Sequence, residues 1–245
     1  MTPVKIVVAG SSVSQFVVPR NARIEGVYGE LLPTLLAERG MAAEVHHAGQ
    51  WYGTIRDLRR DYERSIRAHF PDVLVLNYGL NECQPNVPPL WFVRHVYSWN
   101  RSTHPLARAY RRRLLEPAWR GARGIQRPAS SWAPHRISPK RFTLEMQQVI
   151  TMTRAETAAF VVLVEIDPPG PRLEHWWPGL TGRVKRYNGL LHELAGEGVV
   201  VADTARQVTP DNLEATLPDG IHRSPLGHRL IAEAVCKEVQ QWHAR

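Results

Sequence analysis

Short runs of the chain that are apolar almost throughout restrict the fold more than any other feature. Residues 4–9 (VKIVVA), 73–77 (VLVLN), 160–166 (FVVLVEI) and 198–203 (GVVVAD) are strand-length and lack the strict polar alternation of a strand with one wet face. Strands covered on both faces read this way, and they belong to parallel sheets packed between helices. A fifth run, residues 44–48, is more polar and stops at Gly49. Between the runs the apolar spacing turns helical: residues 27–39, 54–69, 142–159, 184–195 and 225–241. In the first of these, Pro33 must stand near the first turn or kink the helix. Strands alternating with helices predict one α/β domain over residues 1–245, with a five-stranded, mostly parallel sheet.

Composition agrees with a packed domain. The 245 residues can bury a full core without staples, and 43% hydrophobic with 22% charged residues excludes a disordered or collagenous chain. Cys83 and Cys236 are too few for a disulfide framework and make no metal signature alone. No window reaches the roughly 18 uninterrupted apolar residues of a spanning helix. The opening MTPVKIVVAG runs straight into a strand without a leader pattern, so a soluble, cytoplasmic protein is expected.

The net charge of +8 is localised. Residues 91–140 hold eleven Lys or Arg against a single acid, Glu116, and the rest of the chain is nearly neutral. The same stretch breaks the βα rhythm: residues 83–139 contain eight prolines and four of the eight tryptophans. A long segment of this kind is commonly functional or disordered, and its tryptophans argue against disorder. It reads as a partly helical insertion over the carboxyl edge of the sheet. Its arginines have three readings: a solvated cover paired with acids elsewhere, a lid recognising an anionic substrate or acidic carrier, or a surface for nucleic acid or anionic membrane. The last has least support, because no nucleic-acid motif accompanies the basic run.

Ligands of parallel α/β sheets bind beyond the carboxyl ends of the strands. Four polar points stand there: Gly10-Ser11-Ser12, Gly49 to Gly53-Thr54, Gly79-Leu80-Asn81-Glu82, and Asp219-Gly220-Ile221-His222. Acyl transfer needs a nucleophile, a base, a group orienting the base, and donors for an oxyanion. Ser12 is the candidate nucleophile and His222 the candidate base. Asp219 would fix the imidazole tautomer, while the Ser12 N–H, a glycine N–H from residues 49–53 and the Asn81 amide would face the oxyanion. Taken singly, each residue has a plainer reading: Ser12 as a turn cap, Asn81 as an Asx turn, Asp219-Gly220 as a turn dipeptide. Their combination at successive strand ends carries the argument. His46-His47 is not read as a metal site, since adjacent strand residues point to opposite faces. His228 reads as a packing or surface histidine, Asp203 as structural, and Tyr187-Asn188 as packing.

The arrangement resembles the SGNH hydrolases, or GDSL-type esterases and lipases, over nearly the whole chain. VVAGSSVSQ is similar to the first block of that family, HAGQWYGT to the second, NYGLNE to the third and LPDGIHRSPLGHRLIAEAV to the last, which is the most specific. The resemblance implies a flavodoxin-like three-layer fold and catalysis by Ser12, Asp219 and His222. It implies an oxyanion hole of Ser12, Gly53 and Asn81, with Gly49 as the alternative donor, and no cofactor. Three positions depart from the family: Ser11 replaces the usual Asp, Glu82 is the acid after the third-block Asn, and His47 stands where Asn is common. None removes a catalytic group. The expected activity is hydrolysis of a small-molecule ester or acyl substrate, neutral, anionic or carrier-bound, with no nucleic acid and no stable membrane association. An acyltransferase on the same acyl-enzyme and a non-catalytic binding module are the alternatives. Sequence does not assign the acyl group, the acceptor or the oligomeric state.

Overall fold

The computed structural model describes residues 2–14, 26–50, 52–100, 104–207, 215–217 and 220–245. Five strands, β1 (Val4–Gly10), β2 (Ala43–His47), β3 (Val73–Asn77), β4 (Phe160–Val164) and β5 (Val199–Ala202), form one sheet in the order β2-β1-β3-β4-β5. Every neighbouring pair is parallel, so the expected sheet is all-parallel rather than mostly so. The chain leaves β1 for β2 on one side and returns to β3 on the other. That reversal opens a crevice beyond the carboxyl ends of β1 and β3, the two strands carrying the first and third polar points.

Period-two alternation sends side chains into two separate cores. Val7, Ala9, Leu74, Leu76, Val161 and Leu163 pack on one face. They meet α2 (Ile55–Arg60), α3 (Tyr62–Ser65), α8 (Pro139–Thr157) and α10 (Leu180–Glu193), through Leu58, Tyr62, Phe142, Met146 and Val184. Ile6, Val8, Val73, Val75, Val162 and Val164 pack on the other, against Leu32 and Leu36 of α1 (Tyr28–Ala37) and Ile231 and Val235 of α11 (Pro225–His243). The central strands are therefore apolar on both sides. The edge strand β2 is only partly buried, which explains its polar sequence.

Helix ends differ from the sequence periods for identifiable reasons. α8 begins at Pro139 rather than Phe142, because Ser138 accepts the Arg141 N–H and proline suits the first helical position. α10 begins at Leu180 because Glu174, in α9 (Pro171–Trp176), accepts the Gly179 and Thr181 N–H groups. The expected helix over 54–69 is split at Asp61, whose carboxylate accepts from Arg64 and the Ser65 hydroxyl. Pro33 lies in the interior of α1, not its first turn.

The insertion is more helical than its prolines suggest. After α4 (Leu80–Cys83) come α5 (Leu90–Asn100), α6 (Pro105–Tyr110), a π-helical turn (Arg111–Leu115) and α7 (Glu116–Ser130). Its ends meet in a neck: Arg136 N–H donates to Gln84 O, Ile137 N–H to Glu82 O, and Asn86 N–H to Pro134 O. Arg183 of α10 ties Ser130 O and Ala133 O, and Tyr187 donates its hydroxyl to Ile137 O. Trp91 and Trp132 are 71% and 74% exposed, whereas Trp119 is half-buried and lies against Phe92. Val93, Val96, Leu115, Ala129 and Ala133 are buried instead. Among the described residues no helix is long and apolar enough to cross a membrane.

Candidate active site

The first polar point is a tight turn. β1 ends at Gly10, and Ser14 donates both its N–H and its hydroxyl to Ser11 O, closing a single 3₁₀ turn. Ser11 and Ser14 are buried, whereas Ser12 keeps partial exposure. Of the three serines, Ser12 is the one a substrate can reach.

The second point is pulled onto the first by backbone. Ala48 N–H donates to Val8 O and Gln50 N–H to Gly10 O, continuing the β2–β1 ladder past the strand ends. Tyr52 then adopts a left-handed conformation, and Gly53 donates its N–H to Gln50 O at 2.9 Å. The sequence reading placed that N–H in the oxyanion site; here it closes the turn. Gly49 lines a polar recess of about 210 Å³ with His46, His47, Gln50, Asp61, Arg64 and Ser65. His46 stacks on His69 with ring centroids 3.4 Å apart. Among the described residues no group of three His, Cys, Asp or Glu is placed to hold a metal ion.

The third point locks to the second. Asn81 donates its side-chain amide to Gly53 O at 3.0 Å, which leaves its other amide hydrogen for a further acceptor. Glu82, wholly buried, accepts the Ile55 N–H on one oxygen (2.7 Å) and the Gly79 N–H on the other (2.9 Å). One carboxylate thus clamps the start of α2 to the start of α4, with Gly53 and Asn81 between them. Burial pushes the Glu82 carboxyl up to about 7, against the pull of those backbone donors. Gly79 has φ of +132°, and a Cβ there would stand 2.2 Å from Ile166, so the turn requires glycine. Asp57 completes a capping box with Thr54 and pairs with Arg94 of the insertion, which also donates to Tyr52 O. Burial would raise the Asp57 carboxyl, but Arg94 and Thr54 together hold it below the usual range.

The fourth point is a pinned loop. Leu217 N–H donates to His222 O and Ser224 N–H to Ala215 O, while Ser224 caps α11. Arg223, beside His222, forms a buried ion pair with Asp167 and donates to Thr216 Oγ1; Thr204 donates to the other Asp167 oxygen. His222 is itself buried, at 8% exposure. Gly227 allows α11 to approach the loop, since a Cβ would lie 2.1 Å from Ala215 O. His228 packs as expected: its Nδ1 accepts the Tyr28 N–H, and burial drives its pKa down to about 4, leaving it neutral. Asp219 lies outside the described residues. Asn188, read as packing, instead hydrogen-bonds both the N–H and the carbonyl of Ile166 and so fixes the exit of β4.

The structure therefore joins Gly53 to Asn81 directly, and the Ser12 turn to them through Gly10 and Gln50. A parallel α/β sheet of this strand order brings a part-exposed serine after β1 and an asparagine after β3 to the carboxyl edge of the sheet. The sequence matches the model of the GDSL-like lipase/acylhydrolase family over residues 8–230, and the chain belongs to that family. Its members hydrolyse esters. Among solved structures, the fold is similar to a lipase/acylhydrolase from Enterococcus faecalis, with a TM-score of 0.65, 18% identity, and 97% of this chain and 96% of that one covered. It is similar to the acetyl xylan esterase AlAXEase, with a TM-score of 0.61, 21% identity, and coverage of 96% and 100%. It is similar also to a catalytic mutant of Axe2, an acetylxylan esterase from Geobacillus stearothermophilus, with a TM-score of 0.62, 16% identity, and coverage of 96% and 94%. Comparison with curated proteins returned no match.

Proposed function

We propose that the protein hydrolyses a small-molecule ester through an acyl-enzyme on Ser12. Ser12 Oγ attacks the ester carbonyl carbon while His222 takes its proton, and Asp219 holds the imidazole in the tautomer that can accept it. The C=O electron pair moves onto oxygen, where the Ser12 N–H and the second Asn81 amide hydrogen stabilise it. Gly53 contributes as a shared donor, its N–H divided between Gln50 O and the oxyanion. Collapse expels the alcohol, which leaves with the proton from His222. Water then attacks the acyl-serine, His222 receives a water proton, and the free acid departs with Ser12 restored. The insertion acts as the lid over this pocket within one domain.

The observation that carries this reading is the joining of three strand ends around Ser12: Gln50 to Gly10, Asn81 to Gly53, and Glu82 across both loops. A fluorophosphonate probe tests it. Labelling should fall on the peptide containing Ser12 and be absent in Ser12→Ala. Labelling elsewhere, or none in a folded wild type, overturns the assignment.

A further inference from the structure

We infer that Arg136, with Arg94 and Tyr52, forms an anion-binding subsite beside the oxyanion loops, and that the natural substrate is an ester bearing a carboxylate or phosphate group. This rests on the hydrolase reading above and names its substrate class. Arg136 stands in the neck of the insertion, where its N–H donates to Gln84 O and its neighbour Ile137 donates to Glu82 O. Its Cα is therefore fixed alongside the residues that follow Asn81.

The guanidinium is the unusual part. Nε and Nη1 are shut off from solvent, and neither has a hydrogen-bond partner among the described residues. A guanidinium offers five N–H donors in a planar fork and stays charged, so leaving three of them, the one on Nε and the two on Nη1, dry and unpaired is costly. Burial pulls its pKa down to about 10. The acid that acts on it, Glu82, has each oxygen engaged by a backbone N–H, and so supplies field without closing the fork. Arg94 adds a second positive charge with the opposite effect, and its own acid is Asp57. Tyr52, one residue before Gly53, is near enough for its phenol to act electrostatically on Arg136. Arg94 is balanced by Asp57 and the Glu82 oxygens are taken by backbone donors, so the unsatisfied hydrogen-bonding capacity at this end belongs to the Arg136 fork. Arg136 as a residue is half-buried, and Nη2 is not among its solvent-excluded unpaired nitrogens. Planar two-oxygen anions match that fork.

Other insertion arginines have ordinary fates. Arg111 pairs with Glu116, and Arg108, Arg112, Arg113, Arg120 and Arg127 are exposed to solvent. Arg136 is set apart by being dry and unpaired at the catalytic end.

The test uses the full chain and three esters: neutral p-nitrophenyl acetate, p-nitrophenyl hemisuccinate with charge on the acyl side, and 4-acetoxybenzoate with charge on the leaving side. Wild type should favour at least one anionic ester, and which one tells the side on which the anion sits. In Arg136→Gln the ratio of kcat/KM for that ester to kcat/KM for the acetate should fall by about tenfold or more, chiefly through KM. Arg136→Lys keeps charge but loses the fork, so the ratio should still fall severalfold; this variant decides the matter if the glutamine variant does not fold. Arg112→Gln should leave the ratio unchanged. Inorganic phosphate should raise the Tm of wild type and not that of Arg136→Gln. Equal losses on charged and neutral esters, or no anionic preference and no phosphate effect in wild type, would overturn the subsite. If wild type hydrolyses none of the esters yet phosphate binding still depends on Arg136, the hydrolase reading fails and the subsite stands.

Discussion

Replacing Glu82 by glutamine tests the clamp between the loops that carry Gly53 and Asn81, and its effect on stability should reverse the usual dependence on pH. Glu82 is fully buried, and burial lifts its carboxyl from 4.5 to about 7 in the folded protein. Between those values the native state holds a proton that the unfolded chain has lost. More protons bound in the native state means that stability falls as pH rises through this window. Taking the two values, the Glu82 contribution should decline by roughly 2–3 kcal/mol between pH 5 and pH 8. Glutamine cannot ionise, so the variant lacks this decline while sharing all other titrating groups. At pH 5 the variant should be less stable by about 1–3 kcal/mol, because its NH₂ turns hydrogens toward a backbone N–H donor. The quantity to measure is the stability of Glu82→Gln minus that of wild type, from urea unfolding at both pH values. Glu82→Gln should be less stable at pH 5, and the gap should close by roughly 2–3 kcal/mol at pH 8. A gap that stays constant, or widens at pH 8, refutes the raised carboxyl and shows Glu82 to be an ordinary ionised clamp.

Ser12→Ala should lower ester hydrolysis by about 10⁴-fold or more with an unchanged circular dichroism spectrum; retained activity in a folded variant removes Ser12 from the mechanism. Asn81→Ala should reduce kcat by about 10²–10³-fold while changing KM little, as measured by steady-state kinetics on a neutral ester. Because Asn81 also holds Gly53 O, an equal loss in folding stability with no kinetic effect would assign it a structural role alone. Asp167→Asn leaves Arg223 buried without its counter-charge and should cost about 3–5 kcal/mol in urea unfolding, whereas a cost under about 1 kcal/mol would mean the pair is not the pin of the His222 loop.

The sheet was legible because two-sided burial leaves a mark that local context rarely overrides. Val73–Asn77 matches its sequence run residue for residue, and the other four strands shift by one or two positions at their ends. Helix starts were less legible because caps are tertiary. Nothing near Leu180 in the linear sequence announces that a carboxylate from the preceding helix will satisfy the Gly179 and Thr181 N–H groups. The insertion misled in the opposite sense. Pro105 and Pro139 read as breakers, yet each is the first residue of its helix, where the missing N–H costs nothing, and Pro117 stands two residues after the π-helical turn.

At the site, the sequence could propose which side chains do chemistry but not what holds them. Ser12 and Asn81 are recognisable by where they sit after β1 and β3, since the strand order puts those two ends at the crevice. Glu82 was visible only as a departure from a family pattern. Its two backbone bonds reach 27 residues back and three residues back at once, a pairing no linear spacing encodes. The same holds for Arg223 and Asp167, which lie 56 residues apart and meet because β4 ends beside the histidine loop. A signal was present in retrospect: each is a charged residue next to a strand end or a candidate catalytic residue, in a stretch otherwise apolar or turn-forming. Charges in such places must find partners, because an isolated buried charge is expensive. Arg136 fits the same rule with its partner missing, and so the argument that explains Glu82 and Arg223 by their bonds points, for Arg136, to a ligand.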